Sequence, residues 1–168
     1  MMKAVGAALI FISGGAVCRS LLLQRRRELR TLEALARDMR RIGGEIRCRL
    51  TPLPELMDFA SAGAGAETRP FWSEIAAMSG KPGAPPLREI FSAAAENLAV
   101  GGEARAALSE LGRSFAGLDE TGVLRGVETA VADISALAGE KRAQARDGRR
   151  IIVCACFSLS ALLAILLA

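Results

Sequence analysis

The sequence predicts an all-α protein, a helical bundle tethered by a transmembrane helix at each end. Apolar residues recur at helical spacing through the middle of the chain, and no segment alternates as a β-strand does. Of the 168 residues, 51% are hydrophobic and 24% are charged, and the mean hydropathy is +0.30. Such values indicate that the apolar residues are concentrated in parts of the chain, and they lie at its two ends.

The N-terminal segment, residues 1–23, is predicted to be a transmembrane helix. Residues 4–18 carry no charge. The three leucines that end at Leu23 extend the run to about twenty residues, provided that the Arg19 side chain reaches the interface. A cleaved signal peptide with Lys3 as its basic start is the alternative. Because no convincing small-x-small cleavage site precedes the arginines, and Arg25, Arg26 and Arg27 would crowd the mature N-terminus, the sequence favours an uncleaved span.

The C-terminal segment, residues 151–168, is uncharged throughout and would form about 27 Å of helix, enough to cross a thin bilayer. Basic residues flank both segments on their inner sides, namely Arg25, Arg26 and Arg27 after the first and Arg149 and Arg150 before the second. By the positive-inside rule, residues 24–150 form a cytoplasmic helical domain and both termini face outward. The predicted location is therefore the cell membrane.

The cytoplasmic domain begins with a long amphipathic helix. Its apolar stripe consists of Leu29, Leu32, Leu35, Met39, Ile42, Ile46 and Leu50. Its other faces carry Arg37, Asp38, Arg40, Arg41, Glu45 and Arg47. Because the stripe is at most three heptads long, we expect it to pack within the chain rather than form a coiled coil between chains.

Turn-forming residues divide the rest of the domain into shorter helices, for a total of five or six. Thr51 is predicted to cap a second helix, with Pro52 at its first position. The breaks fall at 63–66, 80–86, 101–102 and 117, and the apolar stripes between them include Phe71 and Trp72 as core residues. The stripe from Leu124 to Ala138 is expected to continue into the C-terminal span as one helix.

The composition argues against an enzyme and against a nucleic-acid-binding protein. The chain has no His and no Tyr, and it has a single Trp, so common general bases, metal ligands and base-stacking groups are missing. Cys18, Cys48, Cys154 and Cys156 do not form a metal-binding pattern. Residues 51–138 are acidic, which disfavours nucleic acid. We expect no catalytic residues, cofactor, metal or small-molecule substrate.

Two short stretches resemble the stage III sporulation protein AB family. In RIGGEIRCRLTPL (residues 41–53), Glu45, Ile46, Thr51, Pro52 and Leu53 stand at the positions of the family's Glu-Ile and Thr-Pro-Leu marks. In LGRSFAGLD (residues 111–119), Gly112 and Asp119 match. The chain departs from the family at 121–124, where a Gln-containing stretch is usual, and Phe91 stands in the place of a Trp.

The resemblance implies a role in the channel complex built between mother cell and forespore during endospore formation. The family is similar to the inner-membrane platform subunit of type II secretion and type IV pilus machines. Residues 91–112 resemble that platform's helical cytoplasmic repeat. The implied partners are a cytoplasmic secretion-type ATPase and the other membrane subunits. The implied location is the mother-cell membrane around the forespore.

An acidic surface is the candidate docking face for such a partner. Glu89, Glu96, Glu103 and Glu110 recur every seven residues. They share one helical face if the register continues through Gly101 and Gly102, and a solvated surface is the alternative. The competing function is a membrane-bound helical regulatory protein that dimerises through the 29–50 stripe, beside Cys48.

Overall fold

The computed structural model describes the backbone of residues 2–49, 52–117 and 120–167, and the side chains of 19–20, 23–49, 52–117 and 121–145. The described residues form helices and no strands, as predicted. The six helices are α1 (Met2–Cys48), α2 (Leu53–Gly63), α3 (Arg69–Ser79), α4 (Leu87–Glu96), α5 (Gly102–Phe115) and α6 (Glu120–Leu167).

The chain divides into two compact units. One, here called the bundle, is Arg27–Gly139, and the other combines Met1–Arg26 with Glu140–Ala168. The second unit contains both predicted transmembrane segments, most of whose side chains lie outside the described residues. Within the described part of the chain, no helix has a stretch that is long and apolar enough to span a bilayer. The predicted continuity of the last stripe with the C-terminal segment is confirmed by α6.

The core of the bundle is built around the apolar stripe of α1. Leu32, Leu35, Met39 and Ile42 are each at most 1% exposed, and residues from the other five helices cover them. Leu50, the last member of the predicted stripe, lies outside the described residues. Because the chain's own helices bury the stripe, that surface is not free to form the dimer that the regulatory alternative requires.

The start of α2 differs slightly from the prediction. Pro52 occupies the N-cap position, with φ −56° and ψ 146°, and the helix begins at Leu53. Pro54 lies in the first turn, where its missing N–H removes no helical hydrogen bond. Thr51, the predicted cap, lies outside the described residues.

Two pairs of helices in the bundle are antiparallel. Arg47 near the end of α1 pairs with Glu128 near the start of α6, and Arg40, further back on α1, donates to Ser135 Oγ at 3.0 Å. Helices α1 and α6 are therefore antiparallel. The end of α5 likewise lies beside the start of α4, because a Cβ at Gly112 would be 2.9 Å from the carbonyl oxygen of Leu87.

These antiparallel pairs give the bundle two ends with different composition. The Arg27 end contains residues 27–31 of α1 and the connections 64–68 and 97–101, whose residues share one cleft with α1. The Gly83 end contains the connection 80–86 and the end of α5, which lies beside the start of α4. Gly83 has φ 76°, a conformation that favours glycine.

Four aromatic rings fill the core beside α1. Phe71 and Trp72 meet edge to face at 4.8 Å between ring centroids, and Phe91 lies 5.8 Å from both Phe71 and Phe115. Phe71, Trp72 and Phe91 are at most 1% exposed. The prediction that Phe71 and Trp72 are core residues is confirmed.

The packing of Phe91 against α5 requires a glycine at position 112. A Cβ there would lie 2.8 Å from Phe91 Cβ and 2.9 Å from the Leu87 carbonyl oxygen. We expect Gly112→Ala to push α4 away from α5 and to destabilise the bundle by about 1–3 kcal/mol. The measurement is thermal unfolding in detergent, followed by helical circular dichroism and by the fluorescence of Trp72.

The matched control is Gly44→Ala, also inside a helix. A Cβ at Gly44 would have no neighbour within 4 Å. Alanine is the better helix former by about 1 kcal/mol, so we expect this variant to unfold at the same temperature as the parent or higher. A Gly112→Ala protein as stable as Gly44→Ala would contradict the close packing of α4 on α5.

Candidate interaction surfaces

The structure corrects the expected position of Asp38. The sequence placed it on a polar face of α1, but its side chain is buried, with 7% exposure. Its carboxylate oxygen Oδ2 accepts a hydrogen bond from Thr68 Oγ1 at 2.6 Å and another from Trp72 Nε1 at 3.1 Å. Both donors are fully buried, so one carboxylate satisfies two polar groups that water does not reach.

Arg41, one turn further along α1, stabilises the end of α2. Its guanidinium donates to the carbonyl oxygens of Gly63 at 2.7 Å, Phe59 at 2.9 Å and Ala60 at 3.3 Å. Gly63 and Ala60 are among the last four residues of α2, whose carbonyl oxygens have no helical N–H partner. Its Cζ also lies 4.7 Å from the centroid of the Phe59 ring. A Cβ at Gly63 would be 1.6 Å from Arg41 Nη1, so glycine leaves the room that this contact needs.

The four glutamates of the predicted docking face lie on two helices and not on one. Helix α4 ends at Glu96 and α5 begins at Gly102, so the seven-residue register does not continue between them. Glu89 and Glu110 lie toward the Gly83 end, whereas Glu96 and Glu103 lie toward the Arg27 end. All four are exposed, and Glu110 pairs with Arg113 at 2.6 Å. Their role in binding a partner stays a prediction.

The residues that carry the family resemblance have different environments. Glu45 is partly buried and lies 3.9 Å from Arg49, and Ile46 is in the core. Pro52 and Leu53 begin α2, and Gly112 lies against α4. Thr51 and Asp119 are outside the described residues. Where described, these residues shape helix junctions and do not converge on one pocket.

The basic residues that flank the first predicted span are solvent-exposed. Arg25, Arg26 and Arg27 lie on consecutive positions of α1, and Arg30 follows one turn later. The side chains of Arg149 and Arg150 are outside the described residues. Among the described residues, no group of His, Cys, Asp or Glu is arranged to hold a metal ion, and Cys48 is exposed.

The described part of the bundle surface includes an open cleft of about 230 Å³ between α5 and α6. Small residues line much of it, and Glu110 and Arg125 are among its charged residues. A further cleft, of about 340 Å³, is at the Arg27 end, where Arg27, Arg30 and Thr31 of α1 meet Glu67, Asn97 and Ala99. This cleft could not be predicted from the sequence, because its residues come from three separate parts of the chain.

Removal of the Asp38 carboxylate should destabilise the bundle strongly. Asp38→Ala leaves the Trp72 N–H and the Thr68 hydroxyl buried without an acceptor, at an expected cost of about 2–4 kcal/mol in unfolding free energy. Asp38→Asn is the control, because its amide oxygen still accepts a hydrogen bond, and we expect a smaller loss. The measurement is denaturant unfolding monitored by Trp72 fluorescence. Equal stability of Asp38→Ala and the parent would contradict the structural role of this carboxylate.

The comparisons with known proteins agree with the resemblance found in the sequence. The profile of the family described as "Stage III sporulation protein AB (spore_III_AB)" matches residues 3–168. A solved structure described as "Stage III sporulation protein AB (SpoIIIAB)" is similar in fold, with a TM-score of 0.60 at 13% identity, over 70% of this chain and 95% of that chain. No curated protein sequence matches the chain. Because the family profile covers nearly the whole sequence, the chain belongs to the stage III sporulation protein AB family.

Proposed function

We propose that this protein is a non-catalytic membrane platform component of the channel complex between mother cell and forespore, and that its bundle docks a secretion-type ATPase in the cytoplasm. Membership of a sporulation family supports the process. The two apolar ends of the chain support the anchoring. The observation that carries the docking proposal is the set of exposed charges at the Gly83 end of the bundle.

The anchoring rests on the two apolar ends of the chain. Each is uncharged over at least fifteen residues, and arginines stand at the inner boundary of each. The ends also belong to one compact unit, which is separate from the bundle. Two apolar helices in one unit suit a pair of spans that cross the membrane side by side.

The Gly83 end offers a surface of the bundle that a large partner can contact. The connection 80–86 joins α3 to α4 there, and Glu89 and Glu110 are exposed beside it. A stable protein interface buries about 800 Å² on each partner, so we expect residues from both α4 and α5 to take part.

Exposed charges at the Gly83 end suit a partner that carries both signs of charge. Glu89 lies in the first turn of α4 and forms no ion pair within the described residues. Glu110 is close by on α5 and shares its charge with Arg113. Arg88 also lies at this end, where its Nε donates a hydrogen bond to Ser109 Oγ at 3.4 Å. Such exposed charges contribute mainly to the rate and specificity of association.

Charge reversal at the Gly83 end should weaken the binding of the ATPase. The double variant Glu89→Lys and Glu110→Lys places two positive charges where the proposed interface has negative ones. In a bacterial host that expresses the full chain with the ATPase of the same complex, we expect about tenfold less ATPase to co-purify in detergent, which corresponds to about 1.4 kcal/mol. Circular dichroism checks that the bundle stays folded.

The matched control is the double variant Glu96→Lys and Glu103→Lys. It makes the same charge change on the same two helices but at the Arg27 end, and each pair includes one glutamate in a first helical turn. We expect this control to retain the ATPase. Loss of binding only in the control, or equal retention by both variants, would contradict docking at the Gly83 end.

The proposed topology can be tested through Cys48, which is exposed near the end of α1. In a non-sporulating bacterial host, where the protein would lie in the plasma membrane, we use a variant whose other three cysteines are alanine. A maleimide reagent that cannot cross membranes should label its Cys48 only after the cells are lysed. A second variant, without Cys48 but with a cysteine added after Ala168, should be labelled in intact cells. Labelling of Cys48 in intact cells, or protection of the added cysteine, would contradict two spans with both termini outside.

A further inference from the structure

The cleft at the Arg27 end presents two arginines that lack partners. Arg27 and Arg30 are one turn apart on α1, so their side chains emerge as neighbours on the helix surface. Neither guanidinium forms an ion pair or a hydrogen bond with another described residue. The bundle therefore holds two adjacent cations at the rim of a cavity without an internal counter-ion for either.

The rest of the cleft is suited to a small anion with polar substituents. The Thr31 hydroxyl donates to the Arg27 carbonyl oxygen at 3.0 Å, and Thr31 is buried, so this residue forms the base of the cleft. The Asn97 side chain also lines the cleft. Its amide Nδ2 donates only a long hydrogen bond to Glu74 Oε2, at 3.5 Å. With Arg27, Arg30 and Glu67, the lining residues carry a net charge of +1, and Glu74 lies beside them through its contact with Asn97.

The size of the cleft distinguishes between classes of ligand. Its volume of about 340 Å³ is at the lower end of the range of about 300–1,000 Å³ that is typical of small-molecule sites. The cleft is too small to hold a folded protein partner. Guanidinium groups bind phosphate oxygens in a bidentate manner, and two of them on one helix face can share one phosphate. The chemistry of the lining thus indicates a phosphate group.

The position of the cleft indicates the source of that phosphate. Arg27 follows the first predicted span by four residues in the sequence, and four residues of chain reach at most about 14 Å. In the proposed topology Arg27 is therefore within reach of the lipid headgroups of the cytoplasmic leaflet, where anionic lipids attract basic residues. We propose that the cleft formed by Arg27, Arg30 and Asn97 binds the phosphate of a membrane phospholipid, an assignment that rests on the proposed membrane anchoring.

The test compares two double variants that remove the same charge from the same helix. Arg27→Gln with Arg30→Gln empties the cleft of cations, whereas Arg25→Gln with Arg26→Gln removes two exposed arginines that do not line it. The full-length protein, delipidated in detergent, is titrated with phosphatidylglycerol, and native mass spectrometry records the first bound lipid. We expect about tenfold weaker binding in the cleft variant and less than about twofold change in the control.

Two further measurements identify the ligand. Glu67→Gln removes the carboxylate from the lining and should strengthen phosphatidylglycerol binding about twofold or more, whereas Glu55→Gln, an exposed change outside the cleft, should not. Inorganic phosphate should compete poorly with the lipid, because the acyl chains add membrane or detergent contacts. Competition as strong as that of the lipid itself would overturn the lipid assignment in favour of free phosphate.

If the cleft binds the lipid, only Arg27→Gln with Arg30→Gln loses lipid binding, whereas a diffuse basic surface would lose it equally in both arginine variants. Equal loss of lipid in both arginine variants, or weaker binding in Glu67→Gln, would overturn the proposal. The Cys48 labelling reports on the membrane spans independently of these variants. Failure of lipid binding with the expected labelling pattern therefore removes the cleft alone, and failure of the labelling pattern removes the anchoring on which the lipid source depends.

Discussion

The antiparallel pairing of α1 with α6 and of α4 with α5 is the constraint on which the rest of the structure depends. Within the bundle, α1 contributes residues from Arg27 onward and α6 contributes residues up to Gly139. Because the helices of each pair are opposed, the connections 64–68 and 97–101 lie at one end of the bundle and the connection 80–86 lies at the other. Each end therefore has its own set of polar and charged residues.

The buried carboxylate of Asp38 holds this arrangement together at the Arg27 end. It joins α1 to Thr68, at the N-cap of α3, and to Trp72 in the first turns of the same helix. The connection 64–68 is therefore fixed against α1, and Glu67 of that connection is placed in the cleft as a result. A polar contact in the core thus positions a charged residue on the surface, which links bundle stability to the electrostatics of the proposed lipid site.

Much of the fold follows from local sequence, because helical periodicity and turn residues act over short distances. The breaks at Gly63, at 80–86 and at 101–102 all separate helices in the structure. The burial of Asp38 could not be predicted in this way, since its donors are thirty and thirty-four residues away. The seven-residue spacing of the four glutamates predicts a shared face only if all four lie on one continuous helix. The turn between α4 and α5 interrupts that helix, so the four residues lie at the two ends of a helical hairpin.

The cleft and the basic surface around it differ in how salt should act on them. The attraction between exposed arginines such as Arg25 and an anionic membrane is screened by salt, with a screening length of about 8 Å at physiological ionic strength. Two guanidiniums in direct contact with one phosphate are screened much less, because no counter-ion layer separates the charges. In the proposed topology, the general attraction would bring the basic residues to the headgroups, and the proposed site would then select one lipid. The two contributions together explain why Arg27 and Arg30 stay unpaired within the described part of the bundle while Glu67 lies in the same cleft.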